Sequence, residues 1–191
     1  MPLHQRSIDF RAFDAGEELL VIGRLRDSRP WAEGGDSVTV VHDMELRVRV
    51  RLADLTITDS TAVMHTFPHA ECPGIEEAFA GLAGLDVARG FTREVARRFG
   101  GPRGCTHLEH LARSLGPVVI QAVTSCRARA MSRHEAPDPL SGTRGPWALD
   151  SCHVWAAGGI AEQKLAAGWR PGTGPYPAPA LVTFRRREGP G

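Results

Sequence analysis

Cysteine and histidine are the main candidates for chemistry in this chain. The 191 residues include four cysteines and eight histidines, but only one lysine, Lys164, and no asparagine. The lack of asparagine excludes Cys-His-Asn catalysis, and a Schiff-base or phosphate-loop lysine could only be Lys164. A cytosolic chain uses cysteine and histidine for metal binding or nucleophilic chemistry more often than for disulfides.

The candidate residues fall at predicted boundaries between elements, where side chains leave a rigid frame and can converge. Four short strings carry them: His42-Asp43, Cys72-Pro73, Gly104-Cys105-Thr106-His107 and Cys152-His153. None of these spacings alone is a zinc motif.

Cys105 is the strongest individual candidate. A glycine-rich segment, residues 100–104, leads to it at the predicted start of a helix. Free N–H groups and the helix dipole at such a position favour a thiolate, and His107 is close enough to share a ligand cluster with it. The alternative for Cys105, and equally for Cys72, is a small buried side chain without chemistry.

The elements that position these residues change from strands to helices along the chain. Residues 44–52 alternate apolar side chains with a row of charged ones, including Arg47, Arg49 and Arg51, which predicts a strand with one buried and one solvated face. Further strands are predicted over 6–13, 19–27 and 55–64, and helices over 75–82, 93–99 and 106–124, the last kinked at Pro117. The predicted fold class is α+β: a small antiparallel sheet followed by a helical half with one long C-terminal helix.

Charge and hydropathy exclude several classes of function. Lys plus Arg number 23 against 22 acidic residues, a net charge of +1, whereas a general nucleic-acid binder usually has a strong basic excess. The chain has no run of about 18 apolar residues and no signal-like start, so we expect a cytoplasmic protein with no membrane partner. We predict one domain over 1–170, with its core at 38–125, and a flexible Pro/Gly-rich tail over 171–191.

Most of the chain, residues 17–125 and 147–153, resembles the bacterial domain-of-unknown-function 2889 family. The matching strings, in order, are GRLRDSRP at 23–30, VHDMELR at 41–47, CP at 72–73, LAGL at 82–85, GFT at 90–92, GCTHL at 104–108 and LDSCH at 149–153. The family's name carries no established activity.

Residues 40–125 also resemble, more distantly, the iron–sulfur scaffold proteins of the IscU/SufU type (NifU N-terminal-like). The shared order is a ligand loop, a two-stranded hairpin, a cysteine, short helices and a cysteine opening a long helix. Cys72 and Cys105 match two of that family's ligand cysteines, and Asp43 matches an aspartate near the first ligand. The first cysteine is replaced here by Val41 or His42, and Gly104 stands where the family has a histidine. This resemblance implies an IscU/SufU-like core with N- and C-terminal additions.

The resemblance and the residue types together imply a metal pocket with mixed ligands. The expected metal ligands are His42, Asp43, Cys72, Cys105 and His107. The expected catalytic groups are Asp43, His107 and His153, with Cys152-His153 covering or completing the site. Zinc accepts mixed S, N and O ligands, and Fe(II) is the second choice.

The function expected from this pocket is that of a metal-dependent enzyme, a lyase or hydrolase acting on a small organic substrate. One alternative is an IscU/SufU-like carrier of metal, sulfide or an iron–sulfur cluster. A second is a structural zinc site in an interaction module. The expected partner is a small-molecule substrate. A homo-oligomer, in which the partner is a second copy of the chain, is left open.

Overall fold

A four-stranded antiparallel sheet followed by helices makes up the fold, so the predicted α+β class is confirmed. The structure is a computed structural model that describes residues 2–31, 39–132, 149–150, 152–169 and 177–185. The strands are paired in chain order: β1 (Gln5–Asp14), β2 (Glu18–Arg29), β3 (Thr39–Arg51) and β4 (Ile57–Thr66).

The helices follow the sheet along the chain. A 3-10 helix over Cys72–Leu82 leads to α1 (Phe91–Phe99), a second 3-10 helix (Gly101–Arg103), α2 (Thr106–Arg113) and α3 (Leu115–Ser132). A third 3-10 helix (His153–Trp155), α4 (Ile160–Ala166) and α5 (Leu181–Arg185) come after these.

Strand alternation gives the sheet one buried and one charged face, as the sequence predicts. Met44, Leu46, Val48 and Val50 of β3 are at most 1% exposed, while the intervening Arg47, Arg49 and Arg51 are exposed. The buried face continues across β2 and β4 because directly opposed residues of antiparallel strands point to the same side.

The helical half covers that buried face. α2 packs against β2 and β3 through Leu108 and Leu111, which are fully buried. Phe79 of the first 3-10 helix stacks on Phe99 of α1, with ring centroids 4.7 Å apart. The result is the two-layer arrangement by which a one-sided sheet removes its apolar face from water.

The long helix predicted over 106–124 is two helices, which corrects that prediction. α2 ends at Arg113, Ser114 caps it, and α3 begins at Leu115. Pro117 explains the break: its ring would clash with the carbonyl of residue 113 in a continuous helix, but in the first turn of a new helix its missing N–H is not needed.

The chain divides into two compact units, Met1–Ala122 and Val123–Gly191. Of the predicted tail, the structure describes only residues 177–185, which contain α5, and the rest of that prediction lies outside the described residues. Among the helices described, none has both the length and the apolar character that a membrane crossing needs.

Gly23 in β2 provides a test of how β1 lies on the sheet. A Cβ at Gly23 would lie 2.3 Å from Cε1 of Phe10, the half-buried residue opposite it in β1. We expect Gly23→Val to lower the free energy of unfolding by about 1–3 kcal/mol because the added side chain displaces that ring. In a Phe10→Ala background, Gly23→Val should lower the free energy of unfolding by less. Urea denaturation of wild type, the two single variants and the double variant would measure the difference. Equal costs in the two backgrounds would contradict this packing.

Candidate metal centre

The candidate site is built on one row of side chains that crosses three strands. The strand register places Arg6 of β1 opposite Asp27 of β2, and Asp27 opposite His42 of β3. Opposed residues point to the same face, so the three side chains lie side by side at the end of the sheet. The register shifts directly beyond Asp27, and such irregularities in a ladder often re-aim side chains beside functional sites.

Asp27 is the centre of this row and is almost fully buried, at 1% exposure. Arg6 donates to both carboxylate oxygens, from Nε to Oδ1 and from Nη2 to Oδ2, each at 2.7 Å. His4 Nε2 lies 3.2 Å from Oδ1. This two-pronged arginine contact is the strongest ordinary way to fix a carboxylate, and it sets the orientation of Asp27.

Two imidazoles meet the other side of the Asp27 carboxylate. His42 Nδ1 and His107 Nε2 each lie 3.3 Å from Oδ2, and their rings stack with centroids 3.8 Å apart. His107 reaches this point from the first turn of α2. His42 Nδ1 is buried and has no hydrogen-bond partner among the described residues, although it faces the carboxylate.

The two N···O separations of 3.3 Å are those expected between ligands of one metal ion. Zinc bound tetrahedrally at about 2.0–2.1 Å holds its N and O ligands about 3.3 Å from one another. Asp27, His42 and His107 form the one group in the described part of the chain whose potential ligand atoms all lie within 4.8 Å of one another. They are a possible metal-binding site.

The electrostatics keep Asp27 and His107 in the forms that bind metals. Burial would raise the pKa of Asp27, but the hydrogen bonds and charge of Arg6, with smaller contributions from His4 and His107, outweigh it and lower that pKa to about 2. Burial, together with the neighbouring His42, lowers the pKa of His107 below its usual value. At neutral pH the group therefore offers a carboxylate and a neutral His107.

His42 and His107 line an open cavity of about 590 Å³. Its wall contains Cys72, Cys105 and both site histidines. The lining residues are His42, Met44, Met64, Pro68, His69, Glu71, Cys72, Ile75, Pro102, Gly104, Cys105, Thr106 and His107. The structure thus brings together four of the five metal ligands expected from the sequence: His42, Cys72, Cys105 and His107.

Asp43, the fifth expected ligand, is placed elsewhere. Adjacent residues of a strand point to opposite faces, so Asp43 turns away from the row that contains His42. Its carboxylate accepts hydrogen bonds from Arg24 at 2.6 and 2.7 Å, and these bonds hold its pKa below the usual value despite burial. The structure does not bring it to the Asp27 group.

His153, the third expected catalytic residue, lies in the second unit, in the 3-10 helix His153–Trp155, next to the exposed Cys152. Its catalytic role stays a prediction.

Cys105 lies on the far side of His107 from Asp27. It precedes the first residue of α2, and its Sγ is 3.7 Å from His107 Nδ1 and 4.0 Å from Met44 Sδ. Nε2 of His107 therefore faces the carboxylate, and Nδ1 faces the thiol.

Asp27 and Arg6 are the residues that sequence reasoning missed. A signal for Asp27 was available in the alternation of β2, because Leu19, Val21 and Leu25 are buried and the next inward position is Asp27. A carboxylate on the buried face of a strand needs a partner, which marks it as a candidate site residue. The partners themselves depend on strand register and could not be read from the chain.

The fold and site define an α+β domain with a candidate His/Asp metal centre at the end of its sheet. The family model described as "Protein of unknown function (DUF2889)" matches residues 4–121, and the chain belongs to this family. That match covers β1 to α2, all four residues Arg6, Asp27, His42 and His107, and part of α3. No curated protein and no solved structure matches the chain.

The lowered pKa of Asp27 predicts how the stability of the metal-free protein depends on pH. The folded-state pKa of about 2 lies below the ordinary value near 4, so the stabilisation is complete above pH 4 and disappears as the pH falls through 2. We expect its full size to be about 2–3 kcal/mol. The measurement is urea denaturation of both proteins between pH 6 and pH 2, with a chelator present. Over this range, the free energy of unfolding of wild type should fall by this amount relative to that of Asp27→Asn. A difference between the two proteins that does not change with pH would contradict the prediction.

Proposed function

We propose that the protein is a metal-dependent enzyme whose metal is held by Asp27, His42 and His107. The observation that carries the proposal is the pair of 3.3 Å contacts from His42 Nδ1 and His107 Nε2 to one buried oxygen, Oδ2 of Asp27. His42 Nδ1 supports it further: this buried nitrogen lies 3.3 Å from Oδ2 but forms no hydrogen bond, and a metal between the two atoms would satisfy both.

Zinc is the proposed metal, and Fe(II) is the second choice. Two histidines and one carboxylate form the protein ligand set of many catalytic zinc sites, and the same set binds non-haem iron with positions left open. Arg6 uses one lone pair of each Asp27 oxygen, so the second lone pair of Oδ2 remains available to a metal.

The proposed reaction is a hydrolase or lyase step on a small organic substrate. A metal with three protein ligands keeps a position for water or for a substrate oxygen, where it lowers the pKa of the water or polarises a carbonyl. The cavity beside His42 and His107 provides the space for such a molecule. Arg6 would orient the Asp27 ligand, while Asp43, bound by Arg24, would have a structural role.

A metal or cluster carrier of the IscU/SufU type is the second candidate. The specific support for it is that Cys72 and Cys105, the cysteines matched in that resemblance, line the same cavity. A cluster carrier needs thiolate ligands, however, and the candidate metal group in the described residues contains none. A structural zinc site in an interaction module is the remaining alternative.

Metal binding by purified variants tests the proposed ligand set. We expect wild type to bind one zinc ion per chain, and His42→Gln and Asp27→Asn each to weaken binding by about 100-fold or more, because each removes a ligand from a three-residue site. Isothermal titration of metal-free protein with zinc would measure the affinities.

Asp43→Asn is the matched control for these variants. It changes an aspartate of β3 that is also buried and also bound by an arginine, without touching the Asp27 group. Circular dichroism would establish that each variant is folded, and His42→Gln keeps the test valid if Asp27→Asn does not fold. Zinc binding that is unchanged in folded His42→Gln would overturn the ligand assignment.

Cobalt substitution separates the three candidate functions. With Co(II) in the site, we expect no intense thiolate-to-cobalt band, because the ligands are nitrogen and oxygen. We also expect the visible bands to shift when acetohydroxamate is added, because a catalytic site keeps an open position. Strong thiolate bands would favour the carrier, and visible bands that do not respond to acetohydroxamate would favour a closed structural site.

A further inference from the structure

Sulfur is concentrated in the wall of the cavity next to the candidate metal centre. The chain has only four cysteines and four methionines, and two of each line this one cavity: Cys72, Cys105, Met44 and Met64. The two methionines are opposed across β3 and β4. The Asp27 group uses none of these sulfur atoms.

Three potential ligand atoms in this wall lie close together. Cys105 Sγ is 4.0 Å from Met44 Sδ and 3.7 Å from Nδ1 of His107. Met44 is 1% exposed and is fixed in the sheet, and Cys105 is fixed at the start of α2. The two sulfurs are therefore held from opposite layers of the fold, one by a strand and one by a helix.

The two separations from Cys105 Sγ are those expected between ligands of one cation. With metal–sulfur bonds of about 2.3 Å and a metal–nitrogen bond of about 2.0 Å, sulfurs 4.0 Å apart subtend an angle of about 120°, and the S···N separation of 3.7 Å subtends nearly the same angle. Angles near 120° are those of trigonal coordination, which suits a monovalent d¹⁰ ion.

The chemistry of the donors selects a soft ion. A thiolate and a thioether are soft ligands that favour Cu(I), whereas the carboxylate and imidazoles of the Asp27 group suit zinc or Fe(II). His107 stands between the two sets, with Nε2 facing Asp27 and Nδ1 facing Cys105.

We propose that Met44 Sδ, Cys105 Sγ and His107 Nδ1 form a second metal site, specific for Cu(I), in the wall of the cavity. This site does not depend on the proposed enzyme function. Both sites use His107, whose neutral imidazole has one nitrogen lone pair, so the ring serves one metal at a time. Cys72 and Met64 line the same cavity.

Cu(I) titration of the full chain tests this site. Metal-free protein is titrated anaerobically, with ascorbate present and bathocuproine disulfonate as the competing chelator. We expect one tightly bound Cu(I) per chain, and Cys105→Ala and Met44→Leu should each weaken binding by about 10-fold or more. Met44→Leu conserves core volume, so it removes the thioether with little change in packing. X-ray absorption of the loaded protein should show two sulfur ligands and one nitrogen ligand.

The control is Cys126→Ala, which removes a cysteine of α3 that does not line the cavity. It should bind Cu(I) as wild type does. An unchanged affinity in the folded double variant Cys105→Ala/Met44→Leu would overturn the proposal, as would an equal loss in Cys126→Ala.

The two metal sites fail in distinguishable ways. His42→Gln should lose zinc and keep Cu(I), because His42 belongs only to the Asp27 group. Met44→Leu should lose Cu(I) and keep zinc. If His42→Gln weakened Cu(I) binding as strongly as Met44→Leu does, there would be one mixed site instead of two, and this proposal would be wrong.

Discussion

The pairing of the buried Asp27 carboxylate with Arg6 is the interaction on which the site depends. An isolated buried charge is too costly to persist, and the two 2.7 Å hydrogen bonds from Arg6 compensate for it. Because Arg6, Asp27 and His42 are opposed in three adjacent strands, the backbone ladder that holds the sheet together also sets the distances within the row. Only His107 comes from another layer. It belongs to α2, which packs on β2 and β3.

The same arrangement explains why the sheet has two different faces. Buried alternating residues of β2 and β3 continue in register until Asp27 and His42, where the apolar face ends and a polar row begins. On the opposite face, Arg24 pairs with Asp43 in a second bidentate contact. Asp27 and Asp43 are each bound by an arginine, yet their surroundings differ because only Asp27 lies on the face that the helices cover.

Local patterns predicted the fold better than they predicted the site. The alternation over 44–52 fixes the buried face of β3 without any knowledge of its neighbours, and the helical spacing that includes Leu108 and Leu111 identifies the stripe that covers it. The Asp27 group depends on the register of β2 against β3, and a long connection separates these two strands in the chain. No local sequence pattern contains that register. Asp43 was expected at the site through its neighbour His42 and a distant resemblance, yet strand geometry sends neighbours to opposite faces. Pro117 was expected to kink a helix, but its clash with the preceding turn ends that helix instead.

Arg6 also bears on whether the proposed metal would be structural or catalytic. Small domains that fold around structural zinc lack a sufficient core and depend on the metal for stability. Here a two-layer core of strands and helices exists independently of the Asp27 group, and Arg6 already neutralises the Asp27 carboxylate. Binding of a metal would then add little to the stability of the fold. An ion bound beside a preformed cavity by three residues, with the charge of its carboxylate ligand already balanced, retains the strong polarising field that catalysis uses. The pairing of Asp27 with Arg6 is thus more consistent with the proposed catalytic role of a metal than with a structural one.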